Sequence, residues 1–163
     1  NLEILFNKFV EKAGKDQCHA LGKCFGGMYP ETHRKLEGTW ESEQLIDEYK
    51  KYKFVFAIEN KKVPGYVTEK IMNAFHAGAI PIYWGSDNIG ELFNSDAFIN
   101  VSDFESFDDC VNHITSLSEE DIEKMRNQEI YNENSDIIHL FDDKYKNNKV
   151  LHEYLHKLIK TLS

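Results

Sequence analysis

Cysteine is scarce in this sequence, and no long apolar run is present. The 163 residues include three cysteines, Cys18, Cys24 and Cys110. Because three cysteines cannot all pair within one chain, we expect reduced thiols and at most one disulfide. Cys18, His19 and Cys24 lack the spacing of a common zinc site, and no second pair of ligands follows, so we predict no metal site. No segment has the length and apolar continuity of a membrane span or the organisation of a signal peptide.

Two sequences that bind phosphate in many nucleotide-binding proteins are also absent. Neither Gly-x-Gly-x-x-Gly nor a P-loop occurs, so a phosphate loop of the dehydrogenase kind is not supported. Positive charge is in short supply as well, because 28 acidic residues outnumber 19 lysines and arginines and give a net charge of -9. Since the surface as a whole repels polyanions, we expect no nucleic acid partner. A ligand that carries phosphate must then be held by a local group of donors.

The composition is that of a globular domain. Hydrophobic residues make up 41% of the chain and aromatic residues 13%, which argues against disorder. A chain of this length can bury a sizeable core, and we find neither an internal repeat nor a low-complexity linker, so we treat residues 1–163 as one domain. The first residue is Asn1 rather than methionine. We therefore expect a piece of a longer protein, in which case the absence of targeting signals says nothing about the parent chain.

Residues 52–85 organise the rest of the chain. The continuous apolar runs Phe54–Ile58 and Ile80–Trp84 predict two buried parallel strands. Between them a Pro-Gly pair predicts a turn, and from residue 67 onward apolar residues recur with the spacing of a helix. Gly78 is placed to end that helix in a left-handed conformation.

Apolar periodicity and capping residues predict further elements on both sides of this stretch. Upstream we expect an amphipathic helix at Leu2–Ala13, a short strand within residues 17–24, and a helix at Glu43–Tyr49 capped by Ser42. Downstream we expect a strand at residues 97–101, helices that begin after Ser106 and Ser118, and a short apolar piece at residues 137–141. Residues 145–162 predict an amphipathic C-terminal helix. We favour packing of its apolar stripe on its own domain, with contact to a membrane surface as the alternative.

Alternation of strands and helices predicts an α/β fold with a mainly parallel sheet flanked by helices. Ligands bind at the carboxyl ends of the strands in open sheets of this kind. The polar residues of the central stretch gather where its first strand ends and its helix begins. We therefore expect the functional site at that edge.

The start of the central helix carries the donors that a nucleotide diphosphate sugar requires. Backbone N–H groups and the positive end of the helix dipole can hold the phosphates. Lys70 adds a full positive charge for the departing diphosphate. Glu69 can accept hydrogen bonds from both hydroxyls of a ribose. Tyr66 can bond a phosphate oxygen through its hydroxyl, or only pack beside the turn.

Three neighbouring residues have two interpretations each. Thr68 is a candidate donor-binding residue or a local capping hydroxyl. Asn60 either touches the sugar or orients the loop through hydrogen bonds. For Glu59 we favour the structural role. Tyr83 and Trp84 are assigned to packing in the core and at the end of the sheet.

Four segments, YKFVFAIEN, GYVTEKI, AFHAGAIPIYWG and FNSDAFINVSDF, resemble the donor-binding half of the α-1,3-fucosyltransferases, glycosyltransferase family 10. The resemblance is dense between residues 52 and 104 and thin elsewhere. It implies a Rossmann-like domain that forms the C-terminal half of a GT-B glycosyltransferase. It also implies that Tyr66, Glu69 and Lys70 contact the GDP part of GDP-fucose, and Asn60 and Thr68 remain our further donor-binding candidates.

The reaction implied by the resemblance is an inverting, single-displacement transfer of L-fucose from GDP-fucose to a hydroxyl, commonly of N-acetylglucosamine. A general base must take the acceptor's proton, and in the family it belongs to an N-terminal domain that this chain lacks. We therefore expect the chain alone to bind donor weakly or not at all, without turnover. The implied partners are the donor, a glycan acceptor and the N-terminal domain of the same parent chain. No tightly bound cofactor is implied, and stimulation by a divalent cation such as manganese stays open.

Departures from the family pattern leave alternatives. The family uses an arginine for the diphosphate near the beginning of this domain, whereas Arg34 and Arg126 are the only arginines here and neither lies at the corresponding place. Ser95 replaces a family proline, which changes a turn rather than the chemistry. Two other functions are a glycosyltransferase that uses another nucleotide sugar and a non-catalytic binding module of glycosyltransferase fold. The compartment stays open between the cytoplasm with membrane association, as in bacterial relatives, and the Golgi lumen, as in animal and plant relatives.

Overall fold

Three parallel strands and five α-helices organise this computed structural model, which describes residues 2–23, 27–36 and 43–132. In chain order the elements are α1 (Leu2–Ala13), α2 (Glu43–Tyr49), β1 (Phe54–Ile58), α3 (Glu69–His76), β2 (Ile80–Trp84), β3 (Ile99–Asn100), α4 (Phe107–Ser116) and α5 (Glu119–Arg126). The strand order is β1-β2-β3. The predicted α/β fold with a parallel sheet flanked by helices is confirmed.

The central strand β2 carries core side chains on both faces of the sheet. It pairs with β1 from Phe54 opposite Ile80, and with β3 from Ile82 opposite Ile99. Since side chains alternate along a strand, Ile80 and Ile82 pack toward α1, α4 and α5, whereas Tyr83 packs toward α3. A continuous apolar run is what such two-sided burial requires.

The amphipathic helix α1 covers one face of the sheet, as predicted. Its residues Leu5 and Phe9 are buried. The ring of Phe9 meets Phe56 of β1 edge to face, with 5.6 Å between the ring centroids. Lys8 on the outer side of α1 pairs with Asp108 of α4 at 2.7 Å.

Helix α3 begins later than its apolar periodicity suggests. Val67 is buried in the cluster under α3, but the helix starts at Glu69, with Thr68 as the N-cap residue in an extended conformation. Apolar spacing reports burial, and Val67 reaches the same core from the loop that precedes the helix.

Gly78 ends α3 in the left-handed conformation that the sequence predicts, with φ at 72°. The N–H of Gly78 donates to the carbonyl of Phe75 at 2.9 Å, and the N–H of Ala79 donates to that of Ala74 at 3.1 Å. This pair of bonds is a Schellman motif. The prediction of how the helix ends is confirmed.

The third predicted strand is present but shorter than predicted. Within residues 97–101, β3 has only the two residues Ile99–Asn100. The N–H of Ala97 donates to the carbonyl of Asn94 in a turn, and Val101 begins a short 3-10 turn. Residues at both ends of the predicted strand are therefore not available for pairing with β2.

The short strand expected within residues 17–24 is absent from the described residues 17–23. A 3-10 turn ends at Gln17, and the pairing that follows is a single parallel bridge of Ala20 with His33. The partner segment is itself bent, since the N–H of His33 donates back to Pro30. One residue therefore pairs where a strand needs several.

Serine caps set the starts of α4 and α5 as predicted. Ser106 Oγ accepts a hydrogen bond from the N–H of Asp109 at 3.1 Å. Ser118 and Asp121 form a reciprocal capping box. The predictions for Ser42, for residues 137–141 and for residues 145–162 lie outside the described residues. Among the helices described here, none combines the length and apolar character needed to cross a membrane.

The described cysteines carry free thiols, which fits the expectation of reduced cysteine. Cys110 is fully buried in the core between α1, α4 and the sheet, and Cys18 is half-buried. Burial raises the pKa of the Cys110 thiol to about 11. Neither thiol lies among the candidate donor-binding residues, so both behave as core side chains.

Candidate functional site

Two loops and one helix end meet at the carboxyl edge of the sheet. Strand β1 ends at Ile58 and is followed by Glu59 and Asn60. Strand β2 ends at Trp84, whose carbonyl accepts a hydrogen bond from the N–H of Glu59 at 2.8 Å. The N-terminus of α3 returns to the same edge, as the crossover between parallel strands requires. All five predicted donor-binding residues lie either in the loop between β1 and α3 or in the first two residues of α3.

Glu59 is a buried carboxylate at the centre of this edge. The residue is 2% exposed. Its Oε1 accepts hydrogen bonds from the backbone N–H of Thr68 at 2.7 Å and from the Thr68 hydroxyl at 3.0 Å, and its Oε2 lies 2.8 Å from that hydroxyl. A buried charge needs such partners. Glu59 therefore ties the end of β1 to the start of α3, which is the structural role favoured from the sequence.

Lys70 joins Glu59 and Asn60. Its Nζ lies 3.2 Å from Asn60 Oδ1 and 3.4 Å from Glu59 Oε2. The Lys70 side chain keeps 30% of its exposure, whereas that of Glu59 is fully buried. The ammonium group is thus partly exposed, with its counter-charge buried beneath it.

Among the residues described, the start of α3 lacks a side-chain cap. Thr68 occupies the N-cap position, yet within the described part of the chain its side chain makes no capping bond to the helix. Its hydroxyl is directed to Glu59 instead. Since a helix N-terminus is left with unpaired N–H groups when no cap is present, this end of α3 suits an anion. The structure places Thr68 behind the site, and its role as a ligand contact stays a prediction.

Tyr66 and Glu69 flank this helix start. The N–H of Tyr66 donates to the carbonyl of Val63 at 3.0 Å and closes the turn at Pro64 and Gly65. Both Tyr66 and Glu69 are half-buried. Burial, and to a lesser degree the Glu69 carboxylate, raises the pKa of Tyr49 in α2. Lys70, the next residue, lies toward Asn60.

Two residues of the loop after β2, Ser86 and Asn88, hold the loop between β1 and α3 in place. The N–H of Gly65 donates to Ser86 Oγ at 2.8 Å and to Asn88 Oδ1 at 2.9 Å. Ser86 and Asn88 belong to the loop after β2. The Gly-Ser-Asp-Asn run indicates a turn but not its partner, because the partner lies 21 residues away along the chain.

The end of β2 is packed closely around Glu59. Tyr83 is fully buried, as predicted, and its hydroxyl accepts a hydrogen bond from the N–H of Ser86 at 2.9 Å. Burial raises the pKa of the Tyr83 phenol, which keeps it neutral. A Cβ added at Gly85 would lie 2.4 Å from the Tyr83 hydroxyl oxygen and 2.6 Å from Glu59 Cγ. Glycine at this position therefore makes room for the buried carboxylate.

Neither arginine belongs to the site. Arg34 Nη1 lies 3.9 Å from Glu48 Oε1, and Arg126 pairs with Glu123 at 3.0 Å within α5. The described residues also contain no group of three or more histidine, cysteine or acidic side chains that could hold a metal ion. Lys70 is the cation that the described chain brings to the start of α3.

Comparison with known proteins identifies the family. The model of "Glycosyltransferase family 10 (fucosyltransferase) C-term" matches residues 7–135. The α-(1,3)-fucosyltransferase FucT of Helicobacter pylori is 47% identical over 66 residues, which are 40% of this chain and 14% of that protein. A putative fucosyltransferase, R654 of Acanthamoeba polyphaga mimivirus, is 38% identical over 108 residues, 64% of this chain and 18% of that protein. The chain thus spans less than a fifth of the length of either relative.

Solved structures share the fold. A crystal structure of an α1,3-fucosyltransferase superposes with a TM-score of 0.60 and 28% identity, covering 77% of this chain and 35% of that one. The structure of an α1,3-fucosyltransferase with GDP gives a TM-score of 0.63 at 23% identity, covering 89% of this chain and 43% of that one. One with GDP-fucose gives 0.59 at 22% identity, covering 90% of this chain and 44% of that one.

Proposed function

This chain belongs to glycosyltransferase family 10, and from that premise we propose that it binds the nucleotide-sugar donor of a fucosyltransferase. The proposed reaction moves L-fucose from GDP-fucose to a hydroxyl of a glycan that contains N-acetylglucosamine. The acceptor oxygen bonds to the anomeric carbon while the bond from that carbon to the diphosphate breaks, which inverts the configuration. GDP leaves, and the acceptor's proton passes to a general base. Among the candidate residues of this chain we assign none as that base.

The placement of Lys70 carries the proposal. Its ammonium group is held beside Asn60 at the carboxyl edge of a parallel sheet, one residue inside the start of α3. The N–H groups of that helix end and the lysine charge converge on the same space. Together they offer the stabilisation that a departing diphosphate needs. The chain as a whole has a net charge of -9 and repels anions, so this local positive group is where an anion would be held.

Glu69 and Tyr66 supply contacts to the rest of the nucleotide in this proposal. Glu69 is the first residue of α3, and we assign its carboxylate to the ribose diol while Lys70 holds the diphosphate. Tyr66 precedes the helix and offers a phenol hydroxyl, and Asn60 is close enough to Lys70 to share a ligand with it. GDP and GDP-fucose in solved neighbours of the same fold support a guanosine diphosphate donor.

Several parts of the proposal concern the parent protein. We place the general base and most acceptor contacts in an N-terminal domain, and we treat residues 1–163 as the C-terminal half of a GT-B enzyme. Stimulation by manganese and association with a membrane remain predictions. On this view the chain alone does not turn over.

Calorimetry on the full-length protein tests the donor site. We expect GDP and GDP-fucose to bind the wild type, and Lys70→Ala to weaken both by about 10- to 100-fold, since hydrogen bonds to a charged group contribute about 1.5–3 kcal/mol. Lys50→Ala is the matched control, because Lys50 is exposed and pairs with Asp47 at the end of α2. Unchanged GDP affinity in Lys70→Ala contradicts the assignment. Tighter binding of a different nucleotide sugar points to another donor.

A further inference from the structure

Ser86 and Asn88 hold the loop that presents Tyr66. This loop joins β1 to α3 and turns at Gly65, where φ is 78°. The Gly65 N–H donates to Ser86 Oγ at 2.8 Å and to Asn88 Oδ1 at 2.9 Å. Both acceptors come from the loop after β2. We refer to Ser86 and Asn88 together as the loop clamp.

The loop clamp is itself fixed by neighbouring polar contacts. Ser86 is 2% exposed, and its N–H donates to the hydroxyl oxygen of the buried Tyr83 at 2.9 Å. The Ser86 hydroxyl donates to Asn88 Oδ1, and Asn88 Nδ2 donates to Glu91 Oε2 at 3.0 Å. These contacts fix the Ser86 and Asn88 side chains independently of Gly65. Binding of the Gly65 N–H therefore costs little additional side-chain entropy.

An ion pair adds a weaker second tie between the same two loops. Lys62 Nζ lies 2.7 Å from Asp87 Oδ1. Both side chains are exposed, so salt screens their attraction and the pair contributes little. The half-buried hydrogen bonds to Gly65 therefore set the position of the loop.

We propose that the loop clamp positions Tyr66 and the start of α3 for a nucleotide diphosphate, and so sets the affinity of the donor site. The inference rests on the proposed function of that site. Both clamp residues act on the donor site through the N–H of Gly65, one residue before Tyr66. When the acceptors are lost, the loop spends part of its time away from the sheet edge. The apparent donor affinity then falls with the fraction of molecules whose loop is in place.

Calorimetric titration of the full-length protein with GDP tests the clamp. We expect Ser86→Ala and Asn88→Ala each to raise the Kd about 3- to 10-fold, and the double variant about 10- to 50-fold. Ser116→Ala and Asn112→Ala, both at exposed positions of α4, are matched controls and should stay within about twofold of the wild type.

The stoichiometry separates positioning from mere loss of structure. Irreversibly misfolded protein lowers the stoichiometry and leaves the Kd of the remaining molecules unchanged, whereas a released loop raises the Kd at full stoichiometry. Because reversible unfolding would also raise the apparent Kd, denaturant titration must show that each variant is fully folded at the assay temperature. We also expect faster hydrogen exchange at the Gly65 amide in the double variant. Asn88 is half-buried, so Asn88→Ala should disturb folding less than Ser86→Ala. If Ser86→Ala does not fold, the Kd of Asn88→Ala for GDP tests the clamp.

Two results overturn the inference and can be told apart. If the wild type binds GDP and the double variant binds it equally well, or shows only a reduced stoichiometry, the clamp does not position the donor site. If the wild type does not bind GDP at all, the proposed function fails and the positioning role fails with it.

Discussion

The helix caps and the carboxyl edge of the sheet differ in how far apart along the chain their contacting residues lie. In the helical layer formed by α1, α4 and α5, the serine caps join residues three apart, as in Ser118 with Asp121, and an exposed ion pair of Lys8 with Asp108 links α1 to α4. At the carboxyl edge of the sheet, Glu59 meets Thr68 across nine residues and Gly65 meets Asn88 across 23. The starts of α4 and α5 are thus set by local signals, whereas the site depends on contacts that exist only after the strands have paired.

This contrast predicts which substitutions should change stability alone and which should change both stability and ligand binding. Changes in the helical layer remove buried area, a local cap or an exposed ion pair, and we expect these effects to act on folding alone. Changes at the sheet edge remove partners of groups in the proposed donor site, so we expect them to act on folding and binding together. The four expectations below, ordered from the largest effect to the smallest, test that separation.

The largest loss of stability is expected in the helical layer, for Leu5→Ala. Leu5 is fully buried between α1 and the sheet, so truncation leaves a cavity and should lower the free energy of unfolding by about 2–5 kcal/mol. Denaturant titration measures it. Ile4→Ala on the same helix is the control, since Ile4 is 46% exposed and should change stability by less than about 0.5 kcal/mol. Equal losses from the two variants would contradict the assigned face of α1.

At the sheet edge, Glu59→Ala should cost about 2–3 kcal/mol of unfolding free energy. The substitution leaves the Thr68 N–H and hydroxyl without their buried acceptor and frees Lys70 from its counter-charge. Thermal or denaturant unfolding measures the loss, and calorimetry with GDP should show an altered affinity in the same variant. Glu105→Ala at an exposed position is the control. A loss no larger than that of the control would mean that Glu59 does not organise this edge.

A cap in the helical layer should have a smaller effect that is confined to folding. Ser118→Ala removes the acceptor for the N–H of Asp121 and should lower the free energy of unfolding by about 1 kcal/mol. GDP affinity, measured in parallel, should not change. A change in affinity comparable to that of a sheet-edge variant would break the distinction between the two regions.

The smallest effect is expected for Lys8→Ala. Lys8 pairs with Asp108 at 2.7 Å between α1 and α4, but the Asp108 side chain is 66% exposed. The loss of unfolding free energy should be about 0.2–1 kcal/mol at low salt and should vanish near 1 M salt. Urea titrations at both salt concentrations check this. A loss that persists at high salt would indicate that the Lys8 stem contributes by packing instead.

Much of the fold could be predicted because its signals are local. The runs at β1 and β2, the caps at Ser106 and Ser118, and the left-handed Gly78 each express a preference of a few adjacent residues. Apart from the later start of α3, the predictions that differ from the structure involve strand pairing. Residues 97–101 have a strand composition, but turns at both ends leave two residues to pair, and residues 17–23 contribute one bridge because their partner is bent.

The candidate site was predictable in part. The segment from Asn60 to Lys70 stood out because polar residues follow a buried strand and precede a helix. The contacts within this segment could not be predicted from its sequence. Thr68, for example, bonds the carboxylate of Glu59 through its hydroxyl, whereas the sequence suggested a ligand contact or a helix cap. Ser86 and Asn88 were missed altogether because their partner is a backbone N–H in a distant loop.

The α/β class, the places where most helices begin and end, and the segment that carries Lys70 at the start of α3 follow from the sequence, because they depend on neighbouring residues. Three features follow only from the folded arrangement of the chain: Glu59 is buried as the counter-charge of Lys70, Thr68 bonds that carboxylate rather than its own helix, and Ser86 and Asn88 hold the loop before Tyr66. These contacts require two crossover-linked strands to lie side by side. No pattern within one segment specifies which loops that pairing brings together.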